Sequence, residues 1–334
     1  MLDQNICLMG GPMQGKGGMT SVIQPTLITV IHAEEEFPWD QPFDRSNTGV
    51  SHIQHLAALE RIFDKYGVTP TYVMGYPLTD REEAVAAFRK AVDIKRATLG
   101  VHLHPWVTPP HLEAVNAVNS YPGNLPVQLE YEKIRCLTES IERAYDIRPK
   151  TYLAGRYGYG ENTASILESL DFEIDLSASP PFDFSNDGGP DYYRSSMYPS
   201  FAGPNERILR IPHSGAILGY LCSRDSPVLR NYQKIPSVLK GMLSRMGAAR
   251  RIRLSPEGSS LAQAIQLTRY LQSLGVWLFV YSLHSPSVAI GNTSYVNSEA
   301  ELTAFFGRIE GYMSYFREEL GGRFAGAEQV RDWI

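Results

Sequence analysis

The feature that most constrains this chain is an alternation, kept from Thr26 to Leu320, of short β-branched apolar runs with longer segments of helical periodicity. Thr26–Ile31, Thr69–Met74, Ala97–Leu103, Thr151–Ala154, Phe172–Leu176, Ile208–Ile211, Arg251–Leu254 and Val276–Leu283 read as strands. Val50–Tyr66, Arg81–Val92, Gln128–Tyr145, Ser259–Ser273 and Glu299–Leu320 read as helices. Such alternation predicts an α/β fold built on a parallel sheet, closed as a barrel or doubly wound. A length of 334 residues suffices for one large core, and neither an internal repeat nor linker-like composition marks a second domain. Residues 1–25, rich in glycine and methionine, read as a flexible arm before a single domain over 26–334 with long loops.

The unusual side chains gather where the strands stop. Gly100–Pro110, G-V-H-L-H-P-W-V-T-P-P, ends an apolar run in His102 and His104, which share a face because side chains alternate along a strand. Two imidazoles on one face at a strand end make a natural metal clamp. The Thr26–Ile31 run ends in His32, Glu34, Glu35, Glu36 and Trp39, and continued extension puts His32, Glu34 and Glu36 on one side. Arg156, Asp175 and His284 lie at further strand ends. In a parallel barrel these ends form one face, where active sites are built.

Other polar residues have structural readings. His52 and His55 fall on the helix after the first strand and read as surface or packing residues, and His213 as a satisfied structural histidine. Glu257, in S-P-E-G, reads either as a carboxylate supporting a site residue or, by preference, as one placed for the start of the following helix.

Charge narrows the partners. A net charge of −5 gives no basic footprint for nucleic acid, and no apolar run reaches the ~20 residues that span a bilayer. Three scattered cysteines suggest neither a disulfide framework nor a zinc ribbon. These features, with no secretory pattern at the start, lead to a cytoplasmic expectation.

The pieces A-E-E-E-F-P-W, G-V-H-L-H-P-W-V-T-P-P, S-Y-P-G-N-L-P, A-G-R-Y-G, R-L-S-P-E-G and Y-S-L-H-S-P-S together carry a family resemblance. The chain resembles the polysaccharide deacetylases of the NodB-homology group, carbohydrate esterase family 4, and within them the WalW-type cytoplasmic branch. The resemblance implies a distorted parallel (β/α)7-type barrel of about seven strands. It also implies a divalent metal, zinc first, and hydrolysis of an N- or O-acetyl group on a saccharide of cell-wall or exopolysaccharide type.

Carried over position by position, the resemblance places His32 where the family has its base aspartate and Glu34 where it has an acidic ligand. His102 matches the first of two metal histidines four apart, Trp106 stands at the second, and His104 is the nearest replacement. Arg156 matches the arginine that orients the base, and His284 the general acid. The implied set is thus His32, Arg156 and His284 as catalytic residues, with Glu34, His102 and His104 on the metal. Trp39, Trp106 and Tyr157 offer faces for a sugar ring. A histidine in the place of the base leaves two roles open for His32, proton acceptor or metal ligand. Two alternatives to a deacetylase follow, a glycan-binding relative without catalysis and a hydrolase of small amides on the same fold.

Overall fold

The computed structural model describes residues 24–222 and 226–334. The expected N-terminal arm lies almost wholly outside these residues. The strands are β1 (Thr26–Ala33), β2 (Thr71–Met74), β3 (Thr98–Leu103), β4 (Thr151–Ala154), β5 (Ile174–Asp175) and β6 (Ser200–Ala202). They continue with β7 (Ile208–Arg210), β8 (Gly215–Leu218), β9 (Arg250–Arg253), β10 (Leu278–His284) and β11 (Arg323–Ala325).

One sheet runs β10-β1-β2-β3-β4-β5-β7-β6, with β11 also on β1. Along the path β10 to β7 every pairing is parallel, and β6 alone joins antiparallel. The sheet curls, and short links bridge its open side. Leu254 N–H donates to Ser214 O at 2.8 Å, and Ser282 N–H of β10 donates to Leu254 O at 3.1 Å. The result is a distorted, half-open parallel barrel.

Strand parity sorts the core into two clusters. Ile28, Val30, Val73, Leu153, Ile174, Leu209 and Val280 fill the barrel interior, while Leu27, Ile31, Tyr72, Leu99, Val101 and Phe279 face the helices. Those helices present amphipathic faces; in Ala57–Tyr66 the buried set is Leu59, Ile62, Phe63 and Tyr66, closed by left-handed Gly67 (φ 64°). The expected single helix Val50–Tyr66 is instead a 3-10 turn, Ser51–His55, followed by that α-helix.

Arg251–Leu254 departs from the expected parallel series. Arg251 to Arg253 lie in β9, with Leu254 just beyond it, and β9 pairs antiparallel with β8 as a separate two-stranded arm. The near end of the arm, Gly215 opposite Arg253, lies against the barrel, and the far end, Leu218 opposite Arg250, carries residues 219–222 and 226–249.

Candidate metal centre

The inward parity of the interior cluster continues to the strand ends, where its last layer is imidazole. His32 follows Ile28 and Val30 along β1, and it is in register with His284 of β10. The two rings stand 4.5 Å apart, and His102 lies 4.9 Å from His32 on the other side. His213, two residues beyond Ile211, completes the layer at 5.9 Å from His32. Parallel neighbours in register point the same way, so four separate runs deliver four histidines to one spot.

The first loop distributes its three carboxylates. β1 ends at Ala33, so the strict alternation expected for Glu34, Glu35 and Glu36 does not persist. Glu34 Oε2 lies 3.3 Å from His102 Nε2 and 3.6 Å from His104 Nε2. Glu35 Oε1 accepts from His104 Nδ1 at 2.8 Å, and Glu36 Oε1 accepts from His52 Nδ1 at 2.9 Å. Each acid therefore has its own imidazole. Glu34 and Glu35 are buried, unlike the solvated loop that an acidic triplet usually forms.

Hydrogen bonding fixes the tautomer of His102. Its Nδ1 faces the carbonyl oxygen of Leu153 at 3.0 Å and must donate, which leaves Nε2 a lone pair directed at Glu34. Burial, then the charge of His104, depresses the His102 pKa and favours the neutral ring. Burial works against ionised Glu34, yet His284, His102 and His104 outweigh it and hold the carboxyl below its ordinary value. A lone pair and a carboxylate oxygen at this separation repel unless a proton or a metal ion lies between them.

A third donor completes the set. His32 Nε2 is buried without a hydrogen-bond partner, as is Glu34 Oε1. Burial first, then the charges of His284, His102, His213 and Arg253, holds His32 well below the ordinary imidazole pKa. Ligand atoms of His32, Glu34 and His102 all lie within 4.8 Å of one another. Neutral imidazoles beside an ionised carboxylate are the donor set of a first-row divalent ion, so these residues fit a metal.

The expected ligand His104 sits to one side. Burial lowers its pKa, but Glu35 and Glu34 outweigh burial and raise it, favouring imidazolium. Its ring stacks on Trp106 at 4.2 Å. Trp106 is 1% exposed, enclosed also by Phe43 at 4.4 Å, so it presents no open face to a sugar; packing beneath the first loop is its role.

Arg156 is likewise not beside the first-loop acids. Its backbone is left-handed (φ 53°), and its guanidinium pairs with Asp187, donates to Ser120 Oγ at 2.6 Å and lies over Tyr121. The guanidinium that acts on the histidine layer is Arg253, which donates to Tyr157 Oη at 2.9 Å. Tyr157 stands 5.8 Å from His32 and 5.1 Å from His213, its ring stacked on Phe184, so it lines the centre with its faces already packed. Trp39, half-buried, meets His284 edge to face at 4.8 Å and stands nearest the outside.

His284 is held by Glu257. Oε2 accepts from Nδ1 at 2.7 Å, and Oε1 accepts from the backbone N–H of His284 and from Ser287 Oγ. Glu257 thus serves His284 rather than the following helix, whose start is capped by Ser260 and Gln263. Burial lowers the His284 pKa, but Glu257 and Glu34 outweigh it and raise it to about 8. His52 also exceeds its expected packing role, linking Glu36 to Ser285 Oγ at 2.8 Å, while Ser285 Oγ accepts from Glu34 N–H. Glu257 and Arg253 both fall in or beside R-L-S-P-E-G, the one sequence signal that could have joined them to the site.

No family model matches the sequence, and no curated protein matches it. Solved structures share the fold. A Mycobacterium smegmatis protein assigned as a polysaccharide deacetylase aligns at TM-score 0.51 and 12% identity, over 95% of this chain and 92% of its own. A 4-alpha-glucanotransferase from Thermococcus litoralis aligns at 0.53 and 12% identity, over 93% of this chain but only 40% of its own. A branching enzyme from Pyrococcus horikoshii aligns at 0.50 and 10% identity, over 92% of this chain and 70% of its own. The chain thus has a polysaccharide-deacetylase fold, and at these identities the likeness concerns fold alone.

Proposed function

We propose that this protein is a metal-dependent hydrolase that removes an N- or O-acetyl group from a cell-wall or exopolysaccharide-type sugar, in the manner of the WalW-type branch it resembles. The observation that carries the reading is the Glu34–His102 contact, two acceptors held together beside the unpartnered Nε2 of His32. His32, Glu34 and His102 would hold the ion, zinc by preference for this donor set. When bound, such an ion supplies Lewis acidity toward an acyl carbonyl and toward water.

The remaining groups have distinct tasks. His284, anchored through Nδ1 by Glu257, whose charge favours the imidazolium, would present its Nε2–H as the proton donor for a departing amine or hydroxyl. His104, stacked on Trp106 and paired with Glu35, steadies Glu34 through its Nε2 at 3.6 Å. Trp39 stands against His284 where a sugar ring would enter.

One observation favours a second reading. The position expected to hold a carboxylate base is His32, which fits the ligand role, so a saccharide-binding protein without turnover also accommodates this arrangement. Acetate release from acetylated chito- and xylo-oligosaccharides, measured with calorimetric binding of the same sugars in the presence of zinc, separates the two. Acetate release that depends on His284 supports the hydrolase. Binding without release supports the second reading, and neither result with a loaded metal site would refute both.

A further inference from the structure

The arm beyond β8 and β9 carries a surface unlike the rest of the protein. The helix Ser237–Arg245 has no buried residue, and Leu243 alone on it packs against the small cluster of Ile217, Cys222, Tyr232 and Ala249. Its large apolar side chains point outward instead. Val238 is 73% exposed, Met242 52% and Met246, just past the helix, 58%, with Leu239 also exposed. At about 100° per residue these four positions occupy a single stripe about 100° wide. Backbone bonds from Tyr220 to Gly247 O and from Leu221 to Ala248 O bring two more exposed apolar residues to its edge.

Charge is equally one-sided. Between Ser226 and Pro256 the sequence has seven cations and no acid, in a chain whose net charge is −5. Exposed Lys234 precedes the helix and exposed Arg245 ends it, and Lys240 lies over Tyr232. Asp183 and Asp191 of the neighbouring loop reach Gln233. An outward apolar stripe bordered by Lys and Arg is the chemistry of a helix lying in the plane of an anionic membrane surface.

We propose that the arm helix Ser237–Arg245, with Tyr220 and Leu221, is a peripheral docking face for an anionic lipid bilayer. The methionines, leucines and valine enter the acyl boundary while Lys234 and Arg245 meet lipid headgroups. The attachment proposed is a surface one; among the described residues no helix is long and apolar enough to cross a membrane. The near end of the arm is at Arg253, which bonds Tyr157 beside the histidine layer, and the docking helix is carried at the far end, so docking would tether the centre to the lipid surface through β8 and β9. The inference does not depend on the catalytic reading.

The test is co-sedimentation of the full chain with phosphatidylcholine vesicles, with and without phosphatidylglycerol, at low and high salt. The expected result is binding that requires phosphatidylglycerol and weakens with salt. Leu239→Glu with Met242→Glu, and separately Lys234→Glu with Arg245→Glu, should each weaken it by about tenfold or more. All four positions are exposed or lack a buried contact, and unchanged thermal unfolding checks that the variants fold. Equal pelleting with both vesicle types, or none with either, overturns the proposal. So does a wild-type dimer in light scattering that Leu239→Glu with Met242→Glu dissociates, because the stripe is then an interface between copies.

Discussion

Glu257 grips His284 at two points, accepting from the ring Nδ1 at 2.7 Å and from the backbone N–H at 3.0 Å, across 27 positions of sequence. That grip sets the protonation of the imidazole nearest the opening. In the metal-free protein the His284 pKa should lie near 8, and Glu257→Gln should lower it by about one unit or more, because the neutral amide removes the main charge favouring imidazolium. NMR titration of the ring protons checks this. The sign carries to stability: a pKa raised from 6.5 on folding adds stability that is complete below pH 6.5 and lost as the pH rises through about 8. An unshifted His284 in Glu257→Gln would remove Glu257 from that role.

Glu130 gives a pH effect of the same sign by another cause. It is buried against Thr163, whose hydroxyl donates to it; burial outweighs that bond and raises its pKa to about 7. Folding therefore favours the acid, and stability from this group falls as the pH rises from 4.5 to 7, by about 3 kcal/mol. Glu130→Gln should abolish most of that fall. Urea unfolding at pH 5 and pH 8 measures it, and an equal pH slope in the variant would contradict the assignment.

Gly155 allows β4 to pass close to the loop that follows β3. A Cβ there would lie 2.2 Å from Leu103 O and 2.6 Å from His104 Cδ2. Gly155→Ala should cost about 1–3 kcal/mol in chemical denaturation and displace the His104 ring resonances. Wild-type stability with an unmoved His104 would show that the approach is slack.

Trp106 and Trp39 should separate in opposite directions. Trp106→Ala removes a fully buried indole and should cost about 3–5 kcal/mol. Trp39→Ala, half-buried at the opening, should leave stability within about 1 kcal/mol and weaken saccharide binding. Calorimetric binding beside thermal unfolding of both variants reads the two effects.

The strands of the main sheet were legible because β-branched runs mark β1 to β5, β7 and β10. S-F-A of β6, G-A-I-L of β8 and R-F-A of β11 carry at most one β-branched residue and do not stand out, whereas β5 and β7, no longer themselves, lie within the apolar runs Phe172–Leu176 and Ile208–Ile211. Arg251–Leu254 was recognisable as extended, but its antiparallel partner depends on contacts that local sequence does not encode. At the site, strand parity brings out His32, His102 and His284. Glu257, His52 and Arg253 were harder to place because each acts through a partner far along the chain, as His52 does with Ser285, 233 positions away. Arg156 shows the converse. Its place at a strand end was readable, but its left-handed backbone, which accompanies the turn toward Asp187, was not.

The metal site proposed here joins His32, Glu34 and His102. It is tested most directly by metal content per chain after incubation with zinc and desalting, on the wild type and on His32→Ala, Glu34→Gln, His102→Ala and Trp39→Ala, each checked for folding. Close to one zinc per wild-type chain is expected, retained in Trp39→Ala and lost or weakened at least about tenfold in each of the other three. A folded wild type that retains no zinc, cobalt or nickel, or a His32→Ala variant that binds as tightly as wild type, would contradict it.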